Sequence, residues 1–232
     1  MIVSIHQPQY LPWLPYFLKI EKSDVFILLD TVDFQKNGLQ NRNQIKTAQG
    51  AHWLTVPVKQ QLGQKIIDVK IDDNTAWRRK HWQTIQQCYG KAQAFKDYEK
   101  DLEVLYMREW IGLCELNVEI ISMMMHWMNI QTPVFRSSQM KATGAASELV
   151  LNLCSEVGAT RYLSGAGGKN YLEPDTFLNS GVKIVDQVSV MPETYPQLFP
   201  QAGFINRLSA LDILLNCGKA WRSYLPAEVA TR

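Results

Sequence analysis

No two cysteines or histidines of this chain stand at metal-ligand spacing. Cys88, Cys114, Cys154 and Cys217 lie far apart with no CxxC pair, and the four histidines are scattered. That pattern argues against a zinc ribbon or a disulfide framework, and no metal site is expected. HExxH, GxSxG, the EF-hand loop, GxxxxGK[ST] and GxGxxG are absent too. There is no long hydrophobic run. The most apolar stretch, IISMMMHWMNI at 120–130, is far short of a bilayer span and carries His126, so its methionines read as core filler. No charged segment followed by an apolar one opens the chain, and a cytoplasmic protein with reduced thiols is the expectation. Nor does one charge dominate: 24 Lys and Arg against 22 Asp and Glu leave a net charge of +2. A balance that mild predicts no nucleic-acid partner and no membrane-surface footprint.

What is present is a core-forming composition, 46% hydrophobic and 20% charged over 232 residues. Apolar strand-like runs at 1–5, 24–30, 52–58, 64–71, 133–138, 161–165 and 181–187 alternate with helical patterns. The helices are expected at about 12–22, 75–89, 95–129 (divided at Gly112), 145–157 and 208–217. Asp72-Asp73-Asn74 is expected to cap the second helix. Residues 31–50 lack helical periodicity, and Asn37-Gly38 suggests a hairpin turn there. Short apolar strands interleaved with helices predict an α/β fold: a mostly parallel, Rossmann-like, three-layer sheet with helices on both faces. One domain over 1–232 is expected, with 91–132 as a helical insertion.

In an open α/β sheet, ligands bind beyond the carboxyl ends of the strands. After the first run come His6, Gln7 and Tyr10, in a loop that Pro8 and Pro12 pin. His6 is a candidate general base, because imidazole titrates near neutral pH, with Gln7 and Tyr10 as orienting partners. After the second come Asp30 and Gln35, after the fifth Ser137 and Ser138, and after the sixth Ser164, Gly165 and Tyr171 in SGAGGKNY. Such a glycine-rich turn lets backbone N–H groups approach an oxyanion. In the loop-like NRNQIK, Arg42 could clamp a carboxylate or phosphate, with Asn41 and Asn43 reading polar edges. Lys80 and His81, about one turn into the WRRKHW helix, complete the candidate substrate contacts.

HQPQYLPW, DVFILLD, FQKN, NRNQIK, WLTVPV, WRRKHW, YLSGAGGKNYL and LSALDILLNCG, in order from residue 3 to about 218, resemble the signature blocks of the WbqC-like protein family. Pro15 stands where that family usually has glycine, and Leu39 where it usually has an aromatic residue. The resemblance implies a bacterial protein of lipopolysaccharide O-antigen or related small-metabolite biosynthesis. The expected activity is that of a transferase or amide-forming ligase, moving an acyl or aminoacyl group to an amine. The cofactor is left open, with a nucleotide or nucleotide sugar expected as a substrate, and the expected partner is a small-molecule substrate such as a sugar nucleotide or an activated acyl donor. Two alternatives stand beside it. One is a nucleotidylyltransferase or nucleotide-dependent ligase with a histidine-bearing ATP loop, although His6-Gln7-Pro8-Gln9 lacks the second histidine of HxGH. The other is a non-catalytic ligand-binding partner in a biosynthetic complex.

Overall fold

The computed structural model describes residues 1–227 of the chain. In chain order its elements begin with β1 (Ile2–His6), α1 (Leu14–Glu21) and β2 (Val25–Leu28). There follow β3 (Arg42–Thr47), β4 (Gly50–Thr55), β5 (Val58–Lys59), β6 (Lys70–Ile71), α2 (Trp77–Tyr89), α3 (Phe95–Met107) and α4 (Leu113–Trp127). The remainder comprises β7 (Val134–Arg136), α5 (Ala146–Glu156), β8 (Arg161–Ser164), α6 (Pro174–Asn179), β9 (Lys183–Asp186) and α7 (Ala210–Cys217). They form two compact units. The first takes residues 1–8, 15–32 and 130–189, and the second takes 9–14, 33–129 and 190–227 of the described residues.

The first unit is built on a five-stranded sheet in the order β7-β2-β1-β8-β9, every pair parallel. Strand periodicity sorts its side chains into two faces. Val3, Ile5, Ile27 and Tyr162 are buried with Leu149, Val150, Leu153 and Cys154 of α5 and Phe177 of α6. On the other face α1 covers β1 and β2. Ser23 Oγ donates to Ser4 Oγ at 2.7 Å, and the Tyr16 ring meets the Phe26 ring edge-on at 5.5 Å between centroids. Helices on both faces of a parallel sheet make this the expected three-layer α/β fold. Along the chain its strands run 3-2-1-4-5, counting β7, β8 and β9 as third to fifth. The order reverses between β1 and β8, and that is the topological switch point.

The second unit holds two antiparallel hairpins, β3–β4 and β5–β6, and the helices α2, α3, α4 and α7. Here the sequence expectations need correcting. NRNQIK is strand β3 rather than a loop, and the hairpin turns at 47–50 rather than at Asn37-Gly38. A connection that short admits only antiparallel pairing, so these strands stay out of the parallel sheet. Of the run expected at 64–71 only Lys70–Ile71 is strand, because a 3₁₀ turn takes up Ile66–Asp68. Asp72-Asp73-Asn74 does not cap α2, whose N-cap is Ala76 with no side-chain bond. Gly112 does divide the long helical pattern, standing as the N-cap of α4. Among the described residues no helix is long and apolar enough to cross a membrane.

Candidate functional site

At the carboxyl end of β1, His6 Nδ1 lies 3.1 Å from the Gln7 carbonyl oxygen. A carbonyl only accepts, so Nδ1 carries the proton and Nε2 presents its lone pair. Burial and the nearby Lys19 charge lower the His6 pKa to about 3, with only the Gln7 bond opposing, so the ring is neutral at physiological pH. Tyr16 steadies it from α1: the rings meet edge-on at 4.9 Å and the Tyr16 hydroxyl donates to the same carbonyl at 3.2 Å.

Across the switch point, β1 and β8 pair at Ile2↔Arg161 and Val3↔Tyr162. Beyond that ladder Lys19 reaches in from α1, 2% exposed, and donates from Nζ to the Ile5 carbonyl at 2.9 Å. Ser164 ends β8, its hydroxyl donating to the Gly165 carbonyl at 3.1 Å. Gly168 is a packing glycine, because a Cβ there would stand 2.0 Å from Ser164 Oγ. Tyr171, closing the turn, is exposed. A cavity of about 290 Å³ adjoins this edge, lined by Ser164, Lys169, Leu172, Pro174, Ile184 and Asp186, with Lys169 Nζ 2.9 Å from Asp186 Oδ2.

The carboxyl ends of β2 and β7 are tied to each other. Asp30, wholly buried, accepts from Ser137 Oγ (2.8 Å), Ser138 N (2.9 Å), Ser138 Oγ (2.7 Å) and Arg136 Nε (2.8 Å). Those hydrogen bonds outweigh desolvation and lower its pKa. Asp30, Ser137 and Ser138 are thus brought together, as a knot spanning two strands with its bonding capacity largely turned inward.

The other expected residues belong to the second unit. Tyr10 is wholly buried, its hydroxyl 2.8 Å from His81 Nδ1 and 2.7 Å from the Tyr106 hydroxyl. Burial lowers the His81 pKa to about 4 against the opposing bond to the Thr55 backbone. The ring is therefore neutral at physiological pH and shares a buried hydrogen-bonded chain with the Tyr10 and Tyr106 hydroxyls. Asn43 donates to the Leu11 carbonyl at 2.7 Å and accepts from Gln44 N at 2.8 Å, holding the loop at Leu11, whose φ is +45°. Asn41 donates to the Val56 carbonyl at 2.9 Å while its buried Oδ1 has no hydrogen-bond partner. The Arg42 guanidinium lies 4.5 Å from the Trp53 ring centroid and bonds the Asn37 carbonyl, with Nε buried and unbonded. Gln35 and Lys80 are exposed.

Two features lay outside the sequence expectations. Lys19 is one; its signal was a lysine enclosed by apolar neighbours in YFLKI. The other is an open groove of about 1030 Å³ in the second unit, over Tyr98, Trp127 and Trp221, containing none of the expected residues. Among the described residues no group of three or more His, Cys, Asp or Glu is placed to hold a metal ion.

A parallel sheet of this order, with polar groups at its switch point, defines an α/β protein of the doubly wound class. The match to the WbqC-like protein family model covers residues 7–224, and the chain belongs to that family. It is 32% identical over 226 residues, 96% of each chain, to the uncharacterized protein Rv1507c of Mycobacterium tuberculosis (strain ATCC 25618 / H37Rv). No solved structure matches it.

Proposed function

We propose that this protein is a biosynthetic group-transfer enzyme of bacterial surface-polysaccharide (O-antigen) or small-metabolite pathways. It would move an acyl or aminoacyl group to an amine, such as that of a nucleotide-linked amino sugar. One observation carries the reading: the switch point of the parallel sheet has His6 on one side and the Ser164-Gly165 turn on the other. Small charged ligands bind at that position in sheets of this order.

In the proposed step the amine nitrogen attacks the acyl carbon, and the C–N bond forms as the bond to the donor's leaving group breaks. The amine proton passes by way of His6 Nε2 to that leaving group. A ring of low basicity is a weak proton abstractor and a ready hydrogen-bond acceptor, so orientation supplies most of what His6 contributes. Gln7 fixes the tautomer through its carbonyl. Tyr10, bonded to His81 and Tyr106, is assigned to holding the loop after β1 rather than to contact with substrate. Arg42 and Asn41 keep a buried, unbonded Nε and Oδ1 within the second unit, and no role at the switch point is assigned to them.

His6→Ala should slow product formation by about 10²-fold in a reaction reconstituted with an amino-sugar nucleotide and an activated acyl donor. Full activity in that variant would sink the mechanism. The strand order, with a histidine closing β1, also favours a second reading as a nucleotide-dependent ligase or nucleotidylyltransferase. Thermal stabilisation by ATP with Mg²⁺, and none by nucleotide sugars, would select it.

A further inference from the structure

Gly165 follows β8 at the switch point with φ −78°, a conformation open to any residue, so glycine is not required there by its backbone. What a side chain would occupy is space. Outside the glycine and its chain neighbours, the one heavy atom within 4 Å of a Cβ at this position is Lys19 Nζ, at 3.8 Å. A small group there would therefore find room at van der Waals distance from a lysine nitrogen. Among the described residues Nζ makes one hydrogen bond, to the Ile5 carbonyl, and an ammonium has three N–H directions. A lysine so buried is normally paired with an acid, and this one has only a backbone carbonyl.

We propose that Lys19 is the anion receptor of this crevice, its ammonium taking a phosphate-class oxyanion of the substrate in the space over Gly165. This rests on the reading of the switch point as the substrate site, and adds the group that neutralises substrate charge. Burial holds the Lys19 pKa down at about 7, so the residue is half charged near neutrality. An arriving oxyanion favours the charged form, and binding takes up a proton at higher pH. The neighbouring groups leave that proton to Lys19. His6 on β1 is already neutral, and burial pushes the Cys154 thiol on α5 up to about 12, so it stays protonated. Lys169, beyond β8, is paired with Asp186 of β9.

Sulfate, a dianion that does not titrate in this range, is the probe. In the full-length protein its affinity should be flat below pH 7. Above that it should weaken toward tenfold per pH unit, with calorimetry in two buffers of different ionisation heat showing one proton taken up. Lys19→Met should lose sulfate binding, while Lys19→Arg should bind with no pH dependence. Gly165→Ala should keep the wild-type thermal midpoint, since 3.8 Å is ordinary contact, and weaken sulfate at least tenfold. A flat wild-type profile from pH 7 to 9, or wild-type affinity in a folded Lys19→Met, would overturn the proposal while leaving the transfer reaction to its own test. Should Lys19→Met not fold, the wild-type proton uptake decides. Failure of the wild type to bind sulfate at all would overturn both the receptor and the oxyanion site. Absence of transfer product with proton-linked sulfate binding intact would count against the reaction alone.

Discussion

Removing the Tyr10 hydroxyl takes a shared partner from both His81 Nδ1 and the Tyr106 hydroxyl inside the second unit. Leaving buried polar groups unpaired costs about 1–3 kcal/mol, so Tyr10→Phe should lower the thermal midpoint by several degrees. Unchanged stability with a collapsed turnover would instead return Tyr10 to the substrate. Asp30→Ala should cost more, about 3–5 kcal/mol in urea unfolding, because it removes a buried carboxylate that accepts four hydrogen bonds, one of them from the Arg136 guanidinium. The folded pKa of Asp30 is lowered, so its contribution is fully present above the ordinary carboxylate range and lost as pH falls through the folded value. At this scale the sequence was informative about position and poor about pairing. His6 and Ser164 follow strands and are found at strand ends. Tyr10 and His81 are each candidates by position, yet 71 residues separate them and nothing local ties one to the other. The burial of Lys19 is not legible in the sequence, because a helical lysine ordinarily lies in solvent and only tertiary packing takes it inside.

At the level of elements, full burial was readable and partial burial was not. Val3, Phe26 and Tyr162 sit in short apolar runs without alternation, and those runs are the parallel sheet. NRNQIK has one large apolar residue in six, and its strand character comes from pairing with 50–55. The six-residue α6, opened by Pro174, is too short for a periodic signal and was not anticipated. The turn after β8 separates two kinds of glycine. A methyl on Gly168 would meet Ser164 Oγ at 2.0 Å and Leu172 Cδ1 at 2.8 Å, whereas one on Gly167 meets nothing within 4 Å. Gly168→Ala should therefore cost about 1–3 kcal/mol in denaturant unfolding and displace the Ser164 hydroxyl, with Gly167→Ala near neutral. Equal effects at both positions would show that the turn is not packed as described.

For the whole molecule, acid is the sensitive direction. Folding holds His6 at about 3 and His81 at about 4, against an ordinary 6.5. Between those values the unfolded chain binds protons that the folded chain refuses, so stability falls as pH drops below about 6.5. Each ring contributes up to about 1.4 kcal/mol per pH unit, opposed in part by Asp212, whose pKa burial raises. Urea midpoints followed from pH 7 to 5 should show this slope, and His81→Gln should flatten it. We also propose that the chain melts as one domain. A calorimetric trace with a single transition is expected, and two resolved transitions would refute it.

That expectation has its root in the path of the backbone, which passes from one unit to the other after residues 8, 14, 32, 129 and 189. Neither unit is a contiguous stretch of gene. No single deletion, nonsense codon or recombination breakpoint can release either one whole, and neither can be copied into another protein as a cassette. The two can only be inherited, duplicated or discarded together.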